Sequence, residues 1–456
     1  MPQPRVTSNL TGLDSFKTVG KIFMSALKIL AEPEGIALRR QKGLNWNDSL
    51  FNFAKLSFLE HTILRYRRMV KFGDKVVLDS AFPPFPSSAF DKRIRNYINN
   101  LDMAETPTGI VSMSTTNCCP YSCPFCSTNA RRVTKTDLPE ELIKQTITDV
   151  EATGVPMIIL HGGEPMYRYD RFIRLVKHVN QDTCLWMFTT GYGVTDDRAA
   201  ELKDSGLFGV WISLDHFNPD VHNGFRGSPN AFDNACNAVS AFRKAGVYTC
   251  LSLVPPDDLL EPENFKKYYE FAKQLGVAEI RVMEKKPSGR EACHGVLAHS
   301  PVLANLQKTL YSDPDYTDHP PISGLSTWLE KDQALGCQCR FEYLFITSAG
   351  DVQPCEVSEV TFGNVKDEPF PVIYKRISRA FERCSTGCIP MVMFPEMREY
   401  QQDRMKMSYA EKTERAAQII QGFQQRGSVP GTYRPLWSYY QKRLRLFRKR
   451  QSNNCA

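Results

Sequence analysis

The sequence has no run of 18 uncharged apolar residues, so it predicts no helix that crosses a bilayer. Its first residues, MPQPRVTSNLTG, lack the basic-then-apolar order of a secretory signal. Neither a Gly-Lys-Ser/Thr phosphate loop nor a Ser-His-Asp pattern stands out, and no internal repeat is visible. With 42% hydrophobic and 23% charged residues, the composition excludes disordered, collagen-like and coiled-coil proteins. The 456 residues allow about two to four domains with a large core.

Acidic residues are absent after Glu414, whereas nine Lys and Arg residues lie between Arg415 and Arg450. This tail accounts for the net charge of +7, and the rest of the chain is nearly neutral. A nucleic-acid-binding face over the whole domain is therefore not expected. Apolar residues of the tail lie three or four apart: Trp437, Tyr440, Leu444 and Phe447. A helix with this stripe has three open roles, namely packing on the body, lying on an anionic membrane, or binding RNA or an acidic peptide.

Fourteen cysteines are distributed unevenly, with four in residues 118–126 and five in residues 337–388. A secreted disulfide protein would spread its cysteines more evenly, so the two groups predict metal ligation in a reducing compartment. We expect a cytoplasmic protein, with the basic tail as a means of peripheral membrane contact. The scattered Cys184, Cys236 and Cys250 are expected in the core.

The middle of the chain alternates between strand and helix patterns. The strand-like runs are Gly109–Ser114, Met157–His161, Cys184–Phe188, Val210–Leu214, Tyr248–Val254 and Glu279–Met283. The helix-like runs are Pro139–Thr153, Arg171–Asn180, Asp196–Ser205, Asn230–Ala245 and Pro262–Leu275. Six successive βα units predict an α/β fold in which a parallel sheet curls into a partial (βα)6 TIM-like barrel. Its active site would lie at the carboxyl ends of the strands.

Four regions follow from these patterns. Residues 1–106 form an N-terminal helical segment, residues 107–300 the barrel, residues 330–395 a small hairpin and helix domain, and residues 396–456 a basic helical tail. The N-terminal segment includes an amphipathic helix around Phe16–Leu30 and a second helical stretch from Asn47 to Val70. Whether its apolar face packs on the body or on a membrane surface stays open.

The first cysteine group contains Cys119, Cys123 and Cys126, spaced C-x3-C-x2-C, directly after the first barrel strand. Three thiolates on one loop can hold three irons of a [4Fe–4S] cluster and leave the fourth iron open for chemistry. A zinc site or a chance occurrence is the alternative, although zinc usually has four ligands. Cys118 lies outside this spacing and is expected to be a bystander.

This arrangement resembles the radical SAM superfamily. The C-x3-C-x2-C loop is followed in order by His161-Gly162-Gly163-Glu164-Pro165, Thr189-Thr190-Gly191, Val210-Trp-Ile-Ser213-Leu-Asp215 and the segment from Asn218 to Gly227. The resemblance covers residues 107–285. It implies that S-adenosylmethionine (SAM) binds the open iron and that one electron splits it to a 5′-deoxyadenosyl radical, which takes hydrogen from a substrate. It also implies an external electron donor such as a flavodoxin or ferredoxin.

The resemblance further implies which residues contact SAM: Phe125, Gly162, Gly163, Glu164, Pro165, Thr190, Ser213 and Arg226. The two glycines would let the backbone approach the methionine amine, and Glu164 would accept a hydrogen bond from it. Ser213 would face the ribose or carboxylate, and Arg226 would fork onto the carboxylate. Strand-end or surface roles for Ser213 and Arg226 stay open, and His161 is expected to be structural.

The second cysteine group resembles the SPASM and twitch extensions of these enzymes. Cys339, ten residues, Gly350, four residues and Cys355 form a predicted hairpin, and Cys384 and Cys388 follow. The resemblance implies one auxiliary [4Fe–4S] cluster held by Cys339, Cys355, Cys384 and Cys388. Cys337 leaves the identity of the first ligand open, and a structural zinc site is the alternative.

The sequence therefore predicts a radical SAM enzyme that modifies an unreactive C–H position, most simply of a peptide or protein. The alternative hypothesis is that the enzyme acts on a lipid or another membrane-associated substrate. A non-catalytic, metal-stabilised nucleic-acid-binding protein is the alternative of another class. No cobalamin is expected, since residues 1–100 show no alternating strands and no Gly-rich turn. No catalytic residue is predicted; Glu284, Glu356, Tyr343 and Asp257 are candidates for acid or base without preference.

Overall fold

The computed structural model describes residues 8–45, 47–48, 68–100, 106–134, 136–292, 300–324, 336–337 and 339–429. The strands in these ranges are β1 Ser8–Asn9, β2 Val70–Phe72, β3 Lys75–Val77, β4 Ile110–Thr116, β5 Met157–Gly162, β6 Cys184–Thr189, β7 Leu207–Ser213, β8 Tyr248–Leu253, β9 Glu279–Val282, β10 Ile322–Gly324, β11 Tyr343–Ile346 and β12 Val352–Gln353.

The helices in these ranges are α1 Gly12–Ala31, α2 Pro33–Gln41, α3 Ser88–Ile98, α4 Glu140–Ala152, α5 Tyr169–Val176, α6 Asp196–Asp204, α7 Pro219–Arg226, α8 Ala231–Lys244, α9 Pro262–Leu275, α10 Ser300–Ser312, α11 Phe370–Ala380, α12 Ile389–Val392, α13 Phe394–Asp403 and α14 Tyr409–Arg426. None of the helices in these ranges has the length and apolar character that crossing a membrane requires.

The six predicted strands are β4 to β9, and they form a parallel sheet in chain order. The helices between them cover its outer face, where apolar residues such as Phe172, Phe242 and Phe265 are buried. Helix α9 has the predicted bounds, and Gly276 ends it in a left-handed conformation, with φ of +67°. The α/β fold with its βα units is thereby confirmed.

The sheet is wider than six strands. Strand β10 adds in parallel beside β9, and β11 adds in parallel beside β4, with β12 antiparallel at the far edge. The predicted hairpin of the small C-terminal region is present, but its first strand belongs to the main sheet. The register pairs Tyr343 with Ile110 and Ile346 with Met113. This extension brings the second cysteine group beside the first.

The sheet is curled. Arg281 on β9 and Tyr343 on β11 lie six strand steps apart in the sheet order. In a flat sheet these steps would separate them by roughly 29 Å, at about 4.8 Å each. The two side chains nevertheless interact electrostatically and line the same cavity. The strands therefore form a partial barrel whose two edges face each other across the interior.

The N-terminal region, predicted as a helical segment with a short strand in residues 74–80, also contains an antiparallel sheet of β1, β2 and β3. Val70 and Val77 of this sheet pack with Trp186 and Trp211 of the barrel interior. Strand β3 lies within the predicted short strand, whereas β2 was missed because it has only three residues. The sheet closes the interior on the side of the barrel opposite the strand ends that carry the cysteine loop.

Helix α1 buries only part of its apolar face. Ile22, Ala26 and Leu30 are buried, whereas Phe16 is 76% and Phe23 45% exposed. Most of the predicted helical stretch Asn47–Val70 lies outside the described residues, as does the predicted tail helix beyond residue 429. The proposed membrane contacts of both segments therefore stay predictions.

Candidate functional site

The first cysteine group lies on the loop that follows β4, at the carboxyl end of the strand. Cys119 and Cys123 are buried and Cys126 is half-buried. The loop is held by backbone bonds, with Cys119 N donating to Arg131 O at 2.8 Å. Ala130 N lies 3.3 Å from Cys126 Sγ, and the Thr128 hydroxyl 3.5 Å from it. The loop thus presents three free thiols from one tight turn.

The two glycines at the end of β5 allow this loop to lie against the sheet. Gly162 has φ of +153°, and a Cβ there would lie 2.2 Å from Thr116 O. A Cβ on Gly163 would lie 2.3 Å from Cys118 O. Because these obstacles are backbone atoms, neither position accommodates a side chain without moving the cysteine loop. The glycines are thus explained by backbone contact with that loop, and both also line the cavity described below.

A second turn clamps the loop from the other side. A Cβ on Gly289, whose φ is +57°, would lie 2.1 Å from Cys126 O. Next to it, Arg290 donates to Cys123 O at 2.5 Å and to Ala130 O. Sequence reasoning missed this clamp because Gly289 and Arg290 lie beyond the last predicted strand, where no motif marks them.

Glu164 is fully buried and lies behind the cavity wall. Its carboxylate accepts hydrogen bonds from Met166 N at 2.9 Å, the Thr189 hydroxyl at 2.8 Å, and the Thr190 amide and hydroxyl at 2.6 Å each. A carboxylate has about four acceptor positions, and all four are used here. Burial raises the pKa of Glu164, and these hydrogen bonds oppose that shift. The predicted bond from Glu164 to the SAM amine therefore lacks a free acceptor; the carboxylate instead connects the ends of β5 and β6.

Arg226 is buried beside the first cysteine group. Its guanidinium forms two bonds to Asp215, with Nε–Oδ2 at 2.5 Å and Nη2–Oδ1 at 2.9 Å. The remaining Nη1 lies 3.8 Å from Cys123 Sγ, and the group lies 5.1 Å over the Phe125 ring, which itself stacks on Phe225. Burial lowers the pKa of Arg226, but the combined effects of Asp215 and Cys123 raise it by more, so the net shift is upward.

The fork predicted for a SAM carboxylate is thus occupied by Asp215. The positive charge of Arg226 acts on Cys123 instead. Asp215 carried no predicted role, although it stands in the fourth-strand pattern, and that pattern was the available signal.

One cavity of about 610 Å³ joins the two cysteine groups. Residues predicted to contact SAM line it, namely Phe125, Gly162, Gly163, Thr190, Ser213 and Arg226, together with Cys119, Cys123 and Cys126. From the second group, Cys337, Cys339, Cys355 and Cys388 line it. Glu164 and Pro165 do not, because both are buried in the wall. The cavity excludes bulk water from part of its surface while leaving room for small molecules beside both cysteine groups.

The second cysteine group is assembled from two segments. Cys337 N donates to Ser385 O at 2.7 Å, which brings the segment before β11 against the 384–388 loop. Cys339 hydrogen-bonds with both Cys337 and Cys355, and these contacts raise the pKa of Cys339. The bond from Cys339 lowers the pKa of Cys355. Cys337 lines the cavity, whereas Cys384 is buried and does not line it.

The donor chemistry of both groups fits iron–sulfur clusters. All of these thiols are free of disulfides, and soft sulfur ligands suit such clusters. Burial and the nearby Glu164 raise the pKa of Cys119 to about 12, and burial raises that of Cys123 against the effect of Arg226. A bound metal favours the thiolate form of such thiols. Within the described ranges, no three His, Cys, Asp or Glu side chains converge as ligands of a single metal ion. In a cluster each cysteine binds a different iron, so its thiols need not converge.

Cys118 and the acidic candidates for acid or base differ in whether they line the cavity. Cys118 Sγ accepts from Arg168 at 3.3 Å outside the cavity lining, in keeping with the expected bystander role. Asp257 also lies outside the lining. Glu284 lines the cavity as the ion-pair partner of Lys286 at 2.7 Å, and Glu356 accepts from Ser127 at 2.8 Å.

His161 and Tyr343 lie on neighbouring sides of Ser112. Its hydroxyl is 2.7 Å from His161 Nε2, and it also hydrogen-bonds to Tyr343. Burial lowers the pKa of His161 and raises that of Tyr343. Both side chains line the cavity.

Two family models match this chain. Residues 113–279 match the Radical SAM superfamily, and residues 337–388 match an iron–sulfur cluster-binding domain, SPASM. The first match runs from within β4 to the start of β9 and includes the C-x3-C-x2-C loop, and the second runs from Cys337 to Cys388. These are the two segments whose cysteines line the cavity.

Several known proteins are similar. The AdoMet-dependent heme synthase of Nitratidesulfovibrio vulgaris is 26% identical over 294 residues, which is 59% of this chain and 78% of the relative. The mycofactocin maturase of Mycolicibacterium smegmatis is 29% identical over 178 residues, 39% of this chain and 44% of the relative. Among solved structures, Streptococcus suis SuiB bound to its precursor peptide SuiA is similar with a TM-score of 0.50 and 15% identity, over 59% of this chain. That match spans 64% of SuiB, less than two thirds of its length, and at this identity it shows the fold alone.

Proposed function

We propose that this chain, a radical SAM enzyme with a SPASM-type iron–sulfur domain, modifies an unreactive C–H position of a peptide or protein. The observation that carries the proposal is the single cavity that joins the first cysteine group to the second. A substrate in that cavity would lie beside the residues that bind SAM and beside the residues that hold the auxiliary cluster. When bound, the reduced cluster and SAM supply a primary-carbon radical that removes a hydrogen atom from the substrate.

The protein's own residues prepare the site for this chemistry. Cys119, Cys123 and Cys126 would hold three irons, and the open position would be left to SAM. Arg226 places a positive charge 3.8 Å from Cys123 Sγ, where it stabilises the thiolate. The clamp from Arg290 holds the loop in place. The walls of the cavity shield a reactive intermediate from part of the bulk water.

For the auxiliary cluster we propose Cys337, Cys339, Cys355 and Cys388, the four thiols of the second group that line the cavity. Four thiolates close the coordination of a [4Fe–4S] cluster, as in electron-transfer centres. The prediction that Cys384 is the fourth ligand competes with this set. An external flavodoxin or ferredoxin as electron donor belongs to the same proposal.

A peptide substrate is supported by SuiB, a protein of similar fold that is solved with a precursor peptide. A carboxylate-bearing tetrapyrrole is a second candidate, because three relatives named AdoMet-dependent heme synthase match over 290 to 294 residues. The predicted lipid substrate has weaker support, which consists of the exposed Phe16 and Phe23 on α1.

The test incubates the anaerobically reconstituted protein with SAM, a strong reductant and either candidate peptides or porphyrins that carry propionates. Deuterium placed at the reacting C–H position should appear in 5′-deoxyadenosine only with a true substrate. Transfer from a peptide supports the proposal. Transfer from a porphyrin alone replaces it with the second candidate, and SAM cleavage without transfer from either one contradicts both.

A further inference from the structure

Arg281 occupies the floor of the cavity. It lies on β9 with its side chain inside the barrel, where it lines the cavity with only 2% of its surface exposed. Its guanidinium lies 4.6 Å over the Trp211 ring and 5.3 Å over the Phe188 ring. The aromatic rings hold the plane of the group, so its edge is left for other partners.

No hydrogen bond joins this guanidinium to any residue that the structure describes, and its Nε and Nη1 are buried without a partner. The other cations of the cavity differ in this respect. Arg226 is paired with Asp215, Lys286 with Glu284, and Arg290 donates to backbone carbonyls. Lys285 is the most weakly paired of them, with Nζ 3.9 Å from Asp257, and this carboxylate lies outside the cavity lining. Arg281 is thus a buried cation without an anion in hydrogen-bond contact.

Such an arrangement is unfavourable in the free protein. A buried charge without a partner retains its desolvation cost, and stacking on aromatic rings offsets only a part of it. Burial also lowers the pKa of Arg281. Tyr343 and the carboxylates of Asp79, Glu279 and Glu356 act on it electrostatically, without a hydrogen bond to it. A residue kept in this state is best explained by an anion that arrives later.

Two serine hydroxyls, those of Ser252 and Ser213, lie on the next two strands of the sheet from Arg281 and can also donate hydrogen bonds. The strand register pairs Arg281 with Ser252 on β8 and Ser252 with Ser213 on β7. All three side chains line the cavity, and neither serine hydroxyl donates to a described residue. Strand spacing places the Cα atom of Ser213 about 10 Å from that of Arg281, since each step is about 4.8 Å. Whether the group bound by Arg281 is distinct from SAM is therefore decided by the competition with SAM in the test below.

We propose that Arg281, with Ser252 beside it, binds a carboxylate of the substrate at the floor of the cavity. This inference rests on the proposed function, because it concerns the substrate of the same site. A planar guanidinium with free N–H groups matches the two oxygens of a carboxylate. The carboxylate could come from an acidic or C-terminal group of a peptide or from a propionate of a tetrapyrrole.

The first test uses sodium propionate as the probe, propionamide as its uncharged match, and sodium chloride to equalise ionic strength. The thermal midpoint of the holoprotein is followed with rising probe concentration, with SAM at saturation. A ligand that binds only the folded protein raises the midpoint along a saturation curve. We expect this curve with propionate and not with propionamide.

The variants R281Q and R281K locate the site, and R379Q, which changes an exposed arginine of α11, is the matched control. R281Q should abolish the propionate effect, R281K should weaken binding by roughly tenfold because it loses the planar fork, and R379Q should behave as the parent. No saturable effect in the parent, an effect retained in R281Q, or one abolished by SAM would overturn the proposal. If neither Arg281 variant folds, the parent alone still tests the proposal: a saturable rise of the thermal midpoint with propionate and not with propionamide supports a carboxylate site, and its absence overturns the proposal.

A competition step identifies the source of the carboxylate. Protoporphyrin IX is compared with its dimethyl ester, and an acidic tripeptide with its fully amidated form. Displacement of propionate by one free acid and not by its neutral match assigns that source, and displacement by neither overturns the assignment to a substrate carboxylate. SAM cleavage is measured separately in the parent. If the parent binds propionate but does not cleave SAM, the result counts against the proposed function alone. If it cleaves SAM but does not bind propionate, the result counts against the carboxylate site at Arg281 alone.

Discussion

The guanidinium of Arg226 is held by both oxygens of Asp215 and directs its remaining nitrogen at Cys123 Sγ, 3.8 Å away. Asp215 is fully buried, and Val254 N also donates to it at 2.9 Å. The pair connects the end of β7 and the helix α7 to the cysteine loop. A charge beside the first cysteine group is thus built into the barrel and not supplied by solvent.

Replacing Asp215 with Asn keeps the shape of this pair but removes its negative charge. The buried Arg226 would then lack its anion, so the free energy of unfolding should fall by about 3–5 kcal/mol. Urea titration under anaerobic conditions measures the change. The exposed Asp182→Asn is the control and should stay within about 0.5 kcal/mol of the parent. A D215N variant as stable as D182N would show that the pair does not stabilise the fold.

Gly163→Ala should displace the cysteine loop. The new Cβ would meet Cys118 O at 2.3 Å, and a backbone oxygen cannot rotate away as a side chain can. We expect loss of the iron of the first group, measured as iron per chain, with the second group's iron retained. Gly20→Ala on α1 meets no atom within 4 Å and should keep full iron. Equal iron in the two variants would contradict the role given to Gly163.

The choice between Cys337 and Cys384 can be tested directly. Single Ala replacements are made in a chain whose first group is already replaced by Ala, so that only auxiliary iron remains. The C337A change should remove that iron, because Cys337 lies on the cavity wall, and C384A should leave it. The opposite pattern would restore the sequence-based choice of Cys384, and zinc in place of iron would contradict an auxiliary cluster.

His222 predicts a pH dependence of stability. Burial lowers its pKa to about 4, although Asp215 opposes the shift. Its ordinary pKa is about 6.5, so the unfolded chain binds the extra proton first as the pH falls. The contribution of this group is therefore fully present above about pH 6.5 and is lost as the pH falls towards 4.

Between pH 7 and pH 5 the loss should amount to about 2 kcal/mol. Unfolding of the parent is compared with H222N, which keeps an acceptor for Asp215 N, and with H178N, which changes an exposed histidine. H222N should be less sensitive to pH by that amount, whereas H178N should follow the parent. The same slope in all three proteins would refute the assignment to His222.

The barrel could be predicted from the sequence because each of its strands is a short apolar run and each helix has its own boundary signals. Pro262 and Gly276 mark the two ends of α9, and the structure has the helix between them. The cysteine spacing likewise located both candidate metal sites. These signals are local, because each one can be recognised within a single stretch of the sequence.

What could not be predicted depends on partners distant in sequence. Nothing in β11 shows that Tyr343 pairs with Ile110, more than 200 positions away. The four hydrogen bonds that occupy Glu164 come from β6 and the turn after β5, so its place behind the wall was hidden. Arg281 shows the same limit, since the lack of a partner is visible only once its whole surroundings are known.

The central claim is that Cys119, Cys123 and Cys126 hold the cluster that cleaves SAM. The most direct measurement is the reductive cleavage of SAM to 5′-deoxyadenosine and methionine by the anaerobically reconstituted parent and by the variant with all three cysteines replaced by Ala. The account predicts cleavage by the parent, none above background by the variant, and iron of the second group retained in the variant. Unchanged cleavage by the triple variant would contradict it.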